Sequence, residues 1–155
     1  MYAASGLKNQ RVQEDRTVTE YDSPWKEALD RYFEPFMGLC FPELHSQVDW
    51  AVSPTMLDKE LQQISPQSDT GARTVDKLVD VRLRSGETQW LLIHLEIQSQ
   101  AKSDFAERMF VYFYRIRDKY NRALVSLAVL ADDDEKWRPQ RFREEMFGCR
   151  VEFEF

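Results

Sequence analysis

The sequence predicts an α/β sandwich built on a mixed sheet, and three observations carry that prediction. Two apolar-rich runs, at about Thr74–Arg84 and Thr88–Ser99, flank the turn-like stretch Arg84-Ser85-Gly86-Glu87-Thr88 and read as a β-hairpin. A long helix-periodic segment, at about Asp104–Tyr120, comes next. Ala123–Ala131 then supplies an apolar run of strand length with one serine inside, the composition of a strand buried on both faces. Helix, hairpin, helix, strand and strand is the order of a layered α/β domain.

The remaining elements follow from local signals. Residues 1–20 are polar and without periodicity, and they read as a disordered leader to a single domain over 21–155. Ser23-Pro24 offers an N-cap and a first-turn proline. Trp25, Leu29, Tyr32, Phe33 and Phe36 then recur at helical spacing, so a helix is expected to about Gly38, ended by Phe41-Pro42. Gln47–Val52 reads as a short extended piece, Met56–Ile64 as a second helix, and Ser65–Arg73 as a loop. Asp132-Asp133-Asp134 ends the apolar strand. Arg138–Met146 reads as a polar helical segment and Cys149–Phe155 as a last strand. The chain stops inside that strand, which reads as a truncated sequence.

At 155 residues the chain is long enough to bury a real core, and 43% hydrophobic content with 13% aromatic content argues for a folded protein over a disordered one. Its longest apolar run is too short to span a bilayer, and the N-terminus lacks a signal pattern, so the expected location is cytoplasmic, without membrane association. Cys40 and Cys149 have no metal-ligand spacing and make a weak case for a disulfide. A net charge of −6 argues against nucleic-acid binding over the whole surface but leaves room for a local basic groove.

The hairpin carries the chemistry. With a tight turn around Ser85 and Gly86, paired residues have numbers summing to roughly 172, which sets Asp76 opposite Glu96. Cross-strand Cβ atoms lie roughly 5 Å apart, and like charges there repel unless a cation bridges them. Strand alternation puts Asp76, Leu78, Asp80 and Arg82 on one face, with His94, Glu96 and Gln98 beside them. Asp80 falls opposite Leu92, about 13 Å along the strand, outside the same group. Two carboxylates and the backbone carbonyl of Ile97 form an incomplete oxygen site suited to Mg²⁺, completed by water and a phosphate. The competing reading is two acids at strand margins in local salt bridges with Lys77 or Arg82. His94 shares the face and reads as either a ligand or base, or as a structural histidine.

The long helix carries two stripes. Phe105, Met109, Phe113, Ile116 and Tyr120 are expected to face the core. Arg108, Tyr112, Arg115, Lys119 and Arg122 form a second stripe, a composition suited to phosphate contact. Its alternative is a solvated face paired with acidic neighbours. Arg138, Arg141 and Arg143 would either add to a groove or stay exposed.

An acid on one hairpin strand and E-x-Q on the next, flanked by helices, resembles the PD-(D/E)xK nuclease fold in its glutamine variant. More narrowly, the chain resembles the Rpn (YhgA-like) family of recombination-promoting nucleases and transposase-like proteins. The matching residues are Asp22-Ser23-Pro24-Trp25-Lys26, Asp76-Lys77-Leu78, Glu96-Ile97-Gln98, Arg108 with Tyr112, and Val125-Ser126-Leu127-Ala128. The likeness runs from Asp22 to Phe155 and rests on the order and spacing of these pieces. It implies a restriction-endonuclease-like sandwich and DNA cleavage dependent on Mg²⁺ or Mn²⁺. Asp76 and Glu96 would hold the metal, Gln98 would stand in the lysine's position, and Glu27 would be the candidate for a further carboxylate. DNA contacts would fall to Lys26, Arg108, Tyr112, Arg115 and Lys119. Nucleases that cut both strands commonly dimerise, so a homodimer is a candidate assembly, although no segment of the sequence identifies an interface. The alternative function is a catalytically weak or inactive module on the same scaffold, binding DNA or protein.

Overall fold

The computed structural model describes residues 24–64, 74–85 and 89–155. The expected leader, the Asp22-Ser23 opening, the entire 65–73 loop and the centre of the hairpin turn lie outside the described residues. Helix α1 (Pro24–Cys40) leads into a second, short helix α2 (Pro42–Gln47). Strand β1 (Thr55–Met56), helix α3 (Asp58–Ile64), strands β2 (Thr74–Arg82) and β3 (Trp90–Gln98), helix α4 (Phe105–Tyr120) and strand β4 (Leu124–Leu130) follow. The chain closes with β5 (Arg141–Met146) and β6 (Cys149–Glu154).

The main sheet has the order β1-β2-β3-β4. β1 and β3 run antiparallel to β2, and β4 lies parallel to β3 through the α4 crossover, so the sheet is mixed. A parallel neighbour requires such a crossover, because no tight turn can reverse the chain twice. The alternation of β2 and β3 sorts the core into two layers. Odd-numbered Val79, Val81, Ile93, Leu95 and Ile97 meet Leu29, Phe33 and Met37 of α1. Even-numbered Leu78 and Leu92 meet Leu61 of α3 and Tyr112 and Ile116 of α4 on the other face. The mixed α/β class expected from the sequence is therefore present.

Helix α1 bends at Tyr32, whose φ of −127° and ψ of 31° are non-helical. The cause is Pro35: it has no N–H for the Arg31 carbonyl, and its ring crowds that turn. At the other end of the domain, Asn121 adopts a left-handed conformation (φ 45°) and closes α4 with its N–H on the Arg117 carbonyl at 2.9 Å.

Several expectations need correction. Phe41-Pro42 ends α1 as expected, but Pro42 at once occupies the first turn of a further short helix, α2, and of the expected extended piece only Val48 forms a bridge, to Leu83. Met56 belongs to β1, so the following helix starts at Asp58. Arg138–Met146 is not helical. Its second half is β5, which pairs with β6 across a two-residue turn whose residues, Phe147 and Gly148, have φ of 50° and 82°. That hairpin is held by ring contacts to α4: Phe110 stacks on Phe142 at 4.7 Å and Phe113 meets Phe153 at 4.6 Å. Phe113 thus serves the hairpin, and the buried row of α4 is Phe105, Arg108, Met109, Tyr112 and Ile116. Finally, β4 is the sheet's edge, and all of its residues but Ser126 are half-exposed where burial on both faces was expected.

The apolar row of β2 contains one charged side chain, Lys77, which is fully buried. Its ammonium donates to Asp30 of α1 and, at 2.6 Å, to Asp58 at the start of α3. Burial alone would lower the Lys77 pKa, but the two aspartates outweigh it and hold the lysine above its ordinary value. This triad ties both helical layers to β2. Removing one anion leaves a buried cation short of a partner, so Asp58→Ala is expected to cost on the order of 3 kcal/mol in urea unfolding. Lys77→Met should cost clearly less, because the released aspartates reach solvent.

Candidate metal centre on the hairpin

The register places the two acids level. Asp76 pairs with Glu96 across β2 and β3, with Thr74 opposite Gln98 and Leu78 opposite His94. The side chains of Asp76, Leu78, His94, Glu96 and Gln98 lie on the face covered by α4, and α4 answers them with two residues one turn apart. Arg108 donates from Nε to Glu96 Oε1 at 3.0 Å, and from Nη2 both to the same oxygen and to Gln98 Oε1, the latter at 2.6 Å. Tyr112 donates its hydroxyl to Asp76 Oδ2 at 2.7 Å. The spacing of four residues sets both groups on one helix face, directly over the acid pair. Gln98 passes the chain on, donating from Nε2 to the Gln100 carbonyl at 2.8 Å.

Glu96, Gln98 and His94 are buried, and Asp76 is half-buried, so the site opens on the Asp76 side. Burial raises the Glu96 pKa most, the Asp76 charge raises it further, and Arg108 opposes both; the balance lies at about 8. His94 is pushed down to about 3 by burial and by the nearby Arg108 charge. Its ring packs on Tyr112 at 4.8 Å, and Nδ1 lies 3.4 Å from Ser126 Oγ. At neutral pH it is an uncharged ring in the wall of the site. Two buried polar atoms here have no hydrogen-bond partner: Glu96 Oε2 and His94 Nε2.

The other expected residues are placed as follows. Ile97 sits on β3 opposite Val75. The even residues of β3 turn their backbone to β4, as the Leu92 N–H and Gln98 carbonyl show, so the Ile97 carbonyl points to β2. It can reach a cation only through its second lone pair. Glu27 is exposed on α1, the helix covering the opposite face, and no hydrogen bond or ion pair joins it to Asp76 or Glu96. Lys26 is half-buried on the same helix. The basic stripe of α4 is largely turned inward. Arg108 holds Glu96, Arg115 donates to the Ile64 carbonyl at 2.9 Å, and Arg122 grips Asp80 through two bonds of 2.7 and 2.8 Å. Lys119 is exposed, with its ammonium 5.5 Å from the Tyr120 ring. Arg138, Arg141 and Arg143 are exposed and paired with Asp132, Glu152 and Glu145. Cys40 and Cys149 are free and exposed.

The donor set suits a hard cation in part. Asp76 and Glu96 face each other with one glutamate oxygen uncommitted, which is what a two-carboxylate Mg²⁺ site offers. Against this, no group of three His, Cys, Asp or Glu side chains is gathered among the described residues, so water would have to complete the shell. A guanidinium also already occupies Glu96 Oε1.

The sequence reading missed the Lys77 triad and the Ser126 partner of His94. A signal existed for the first: one lysine in an otherwise apolar alternating row must find anions. For Ser126 the only hint was a single hydroxyl within an apolar strand.

In comparisons with known proteins the chain matches no family model, no curated protein and no solved structure. No described helix is long and apolar enough to cross a membrane.

The two shifted groups predict a specific stability profile. The folded protein keeps the Glu96 proton that the unfolded chain loses near 4.5, so stability falls as pH rises from there through about 8. The folded protein refuses the His94 proton that the unfolded chain takes up near 6.5, so stability falls as pH drops from there through about 3. Between these ordinary values the two slopes oppose. Melting temperature against pH should show a plateau there, and Glu96→Gln should remove the alkaline decline relative to wild type. An equal alkaline decline in that variant contradicts the assignment.

Proposed function

We propose that this chain is a metal-dependent DNA endonuclease of the PD-(D/E)xK kind, related to recombination-promoting and transposase-like nucleases. The observation that carries the reading is the register that sets Asp76 level with Glu96 on one sheet face, beside Gln98. The uncommitted, buried Oε2 of Glu96 supports it further. A strand hairpin, a crossover helix and a parallel strand are also the order expected of a restriction-endonuclease-like sandwich.

In this reading Asp76 and Glu96 hold Mg²⁺ or Mn²⁺, which when bound supplies an activated water and charge stabilisation on the phosphodiester. Tyr112 fixes the Asp76 carboxylate by its 2.7 Å hydrogen bond, so that one oxygen keeps its direction. Gln98 orients a water or a phosphate oxygen but carries neither charge nor a transferable proton. Arg108 must release Glu96 before a cation binds there. Once released, its guanidinium is placed to meet a phosphate.

A second reading has its own observation. Arg108 saturates Glu96 Oε1 and reaches Gln98, so these oxygens are already engaged from within. On that reading the scaffold is a weak or inactive nuclease that binds DNA or protein.

Plasmid nicking separates the two. Wild type should convert supercoiled plasmid to nicked circles with Mg²⁺ or Mn²⁺ and not in chelator, and Asp76→Ala and Glu96→Ala should each reduce this to background while keeping the wild-type circular dichroism spectrum. Cleavage retained in both variants rejects the site. Absence of cleavage in every divalent metal favours the inactive module.

A further inference from the structure

Strand β4 has the composition of a central strand and the position of an edge strand. Its seven residues, LVSLAVL, contain no charge, proline or glycine, the features that ordinarily protect an edge. Leu124, Val125, Leu127, Val129 and Leu130 are all half-exposed, whereas Ile93, Leu95 and Ile97 on neighbouring β3 are fully buried. Both faces of β4 therefore leave apolar surface beside a backbone edge that pairs with no strand among the described residues.

The backbone direction is fixed by the ladder to β3. The Ala123 carbonyl accepts from Leu92 and the Ala131 N–H donates to Gln98, so odd-numbered residues turn inward. Leu124, Ser126, Ala128 and Leu130 consequently point their N–H and C=O groups outward.

We propose that this edge pairs with the β4 of a second copy of the same chain, antiparallel across a two-fold axis at Leu127. That register uses all seven residues of both strands. It sets Leu124 against Leu130 and Ser126 against Ala128, each pair having its backbone groups already turned towards the other, as hydrogen-bonded antiparallel pairs require. Leu127 meets its own copy on the axis. The flanks decide for a second copy over an arbitrary strand. The exposed Lys119 precedes β4 and the exposed Asp133, Asp134 and Glu135 follow it, while Arg122 and Asp132 are already engaged by Asp80 and Arg138. Antiparallel pairing brings the acidic end of each copy to the basic end of the other, and residue 122 falls opposite residue 132. Such an interface is isologous and closes on itself. The result is an eight-stranded sheet with both acid pairs on one face, about 20 Å apart at ordinary strand spacing.

The test is the mass of the full chain in solution by sedimentation equilibrium, with two variants. Wild type should run at twice the mass of one chain at micromolar concentrations. Ala128→Pro removes an outward N–H and no bond to β3, and should halve the mass with unchanged circular dichroism. In a Cys40→Ser, Cys149→Ser background, Leu127→Cys should form an intermolecular disulfide under mild oxidation, since residues facing across such an axis have Cα atoms about 4.5 Å apart. A monomeric wild type, or no crosslink in the Leu127→Cys variant, overturns the proposal, leaving the edge to another partner or segment. A dimer that persists in Ala128→Pro also overturns it, and would move the interface to another exposed apolar surface such as Met146 and Phe147 at the hairpin tip.

Discussion

Two carboxylates brought level on adjacent strands make the central constraint of this molecule. Repulsion between them has to be answered, and the answer comes from α4: Arg108 reaches Glu96, and Tyr112 reaches Asp76. The helix must therefore lie with one polar edge pressed on the sheet, and its buried row includes an arginine and a tyrosine beside Phe105, Met109 and Ile116. The aromatic residues that this rotation leaves on the outside, Phe110 and Phe113, are covered in turn by the β5–β6 hairpin. A local charge problem on the hairpin thus fixes how the helix sits and why a second small sheet is packed on it.

The two faces of the sheet solve the same difficulty with opposite signs. On the α1 side a buried cation, Lys77, is met by two aspartates from two helices. On the α4 side two buried or half-buried acids are met by one guanidinium and one hydroxyl. The difference lies in what remains unsatisfied. Lys77 has anions on either side and is held charged. Glu96 keeps an oxygen without a partner and a pKa raised by burial and by Asp76. A structural ion pair is normally completed, whereas a carboxylate left half-engaged beside another carries a standing electrostatic cost. That asymmetry is why the α4 face, and not the Lys77 triad, is read as the functional one.

Much of this was legible in the sequence, and the reason is local. A tight turn fixes a hairpin register, so the Asp76–Glu96 pairing followed from counting residues on either side of Gly86. The α4 helix was legible from its period, but its rotation was not: the spacing of Phe105, Met109, Phe113, Ile116 and Tyr120 resembles a core stripe, and only the position of the acids on the sheet decides that Arg108 and Tyr112 point inward. Arg141–Met146 misled because its charged residues suit a solvated helix. The competing fact, stacking of Phe142 on Phe110, is a tertiary contact and leaves no local trace. The edge position of β4 was likewise hidden, since an apolar strand announces its wish to be buried and not the number of its neighbours.

Asp76 and Glu96 are proposed to share a cation from solution, taken up in place of the Arg108 guanidinium at Glu96. Titration calorimetry with Mn²⁺ on wild type, Asp76→Asn and Glu96→Gln addresses it most directly. The account predicts saturable binding of one ion per chain in wild type and its loss in each variant, with all three proteins folded. No binding in wild type, or binding unchanged by either substitution, would contradict it.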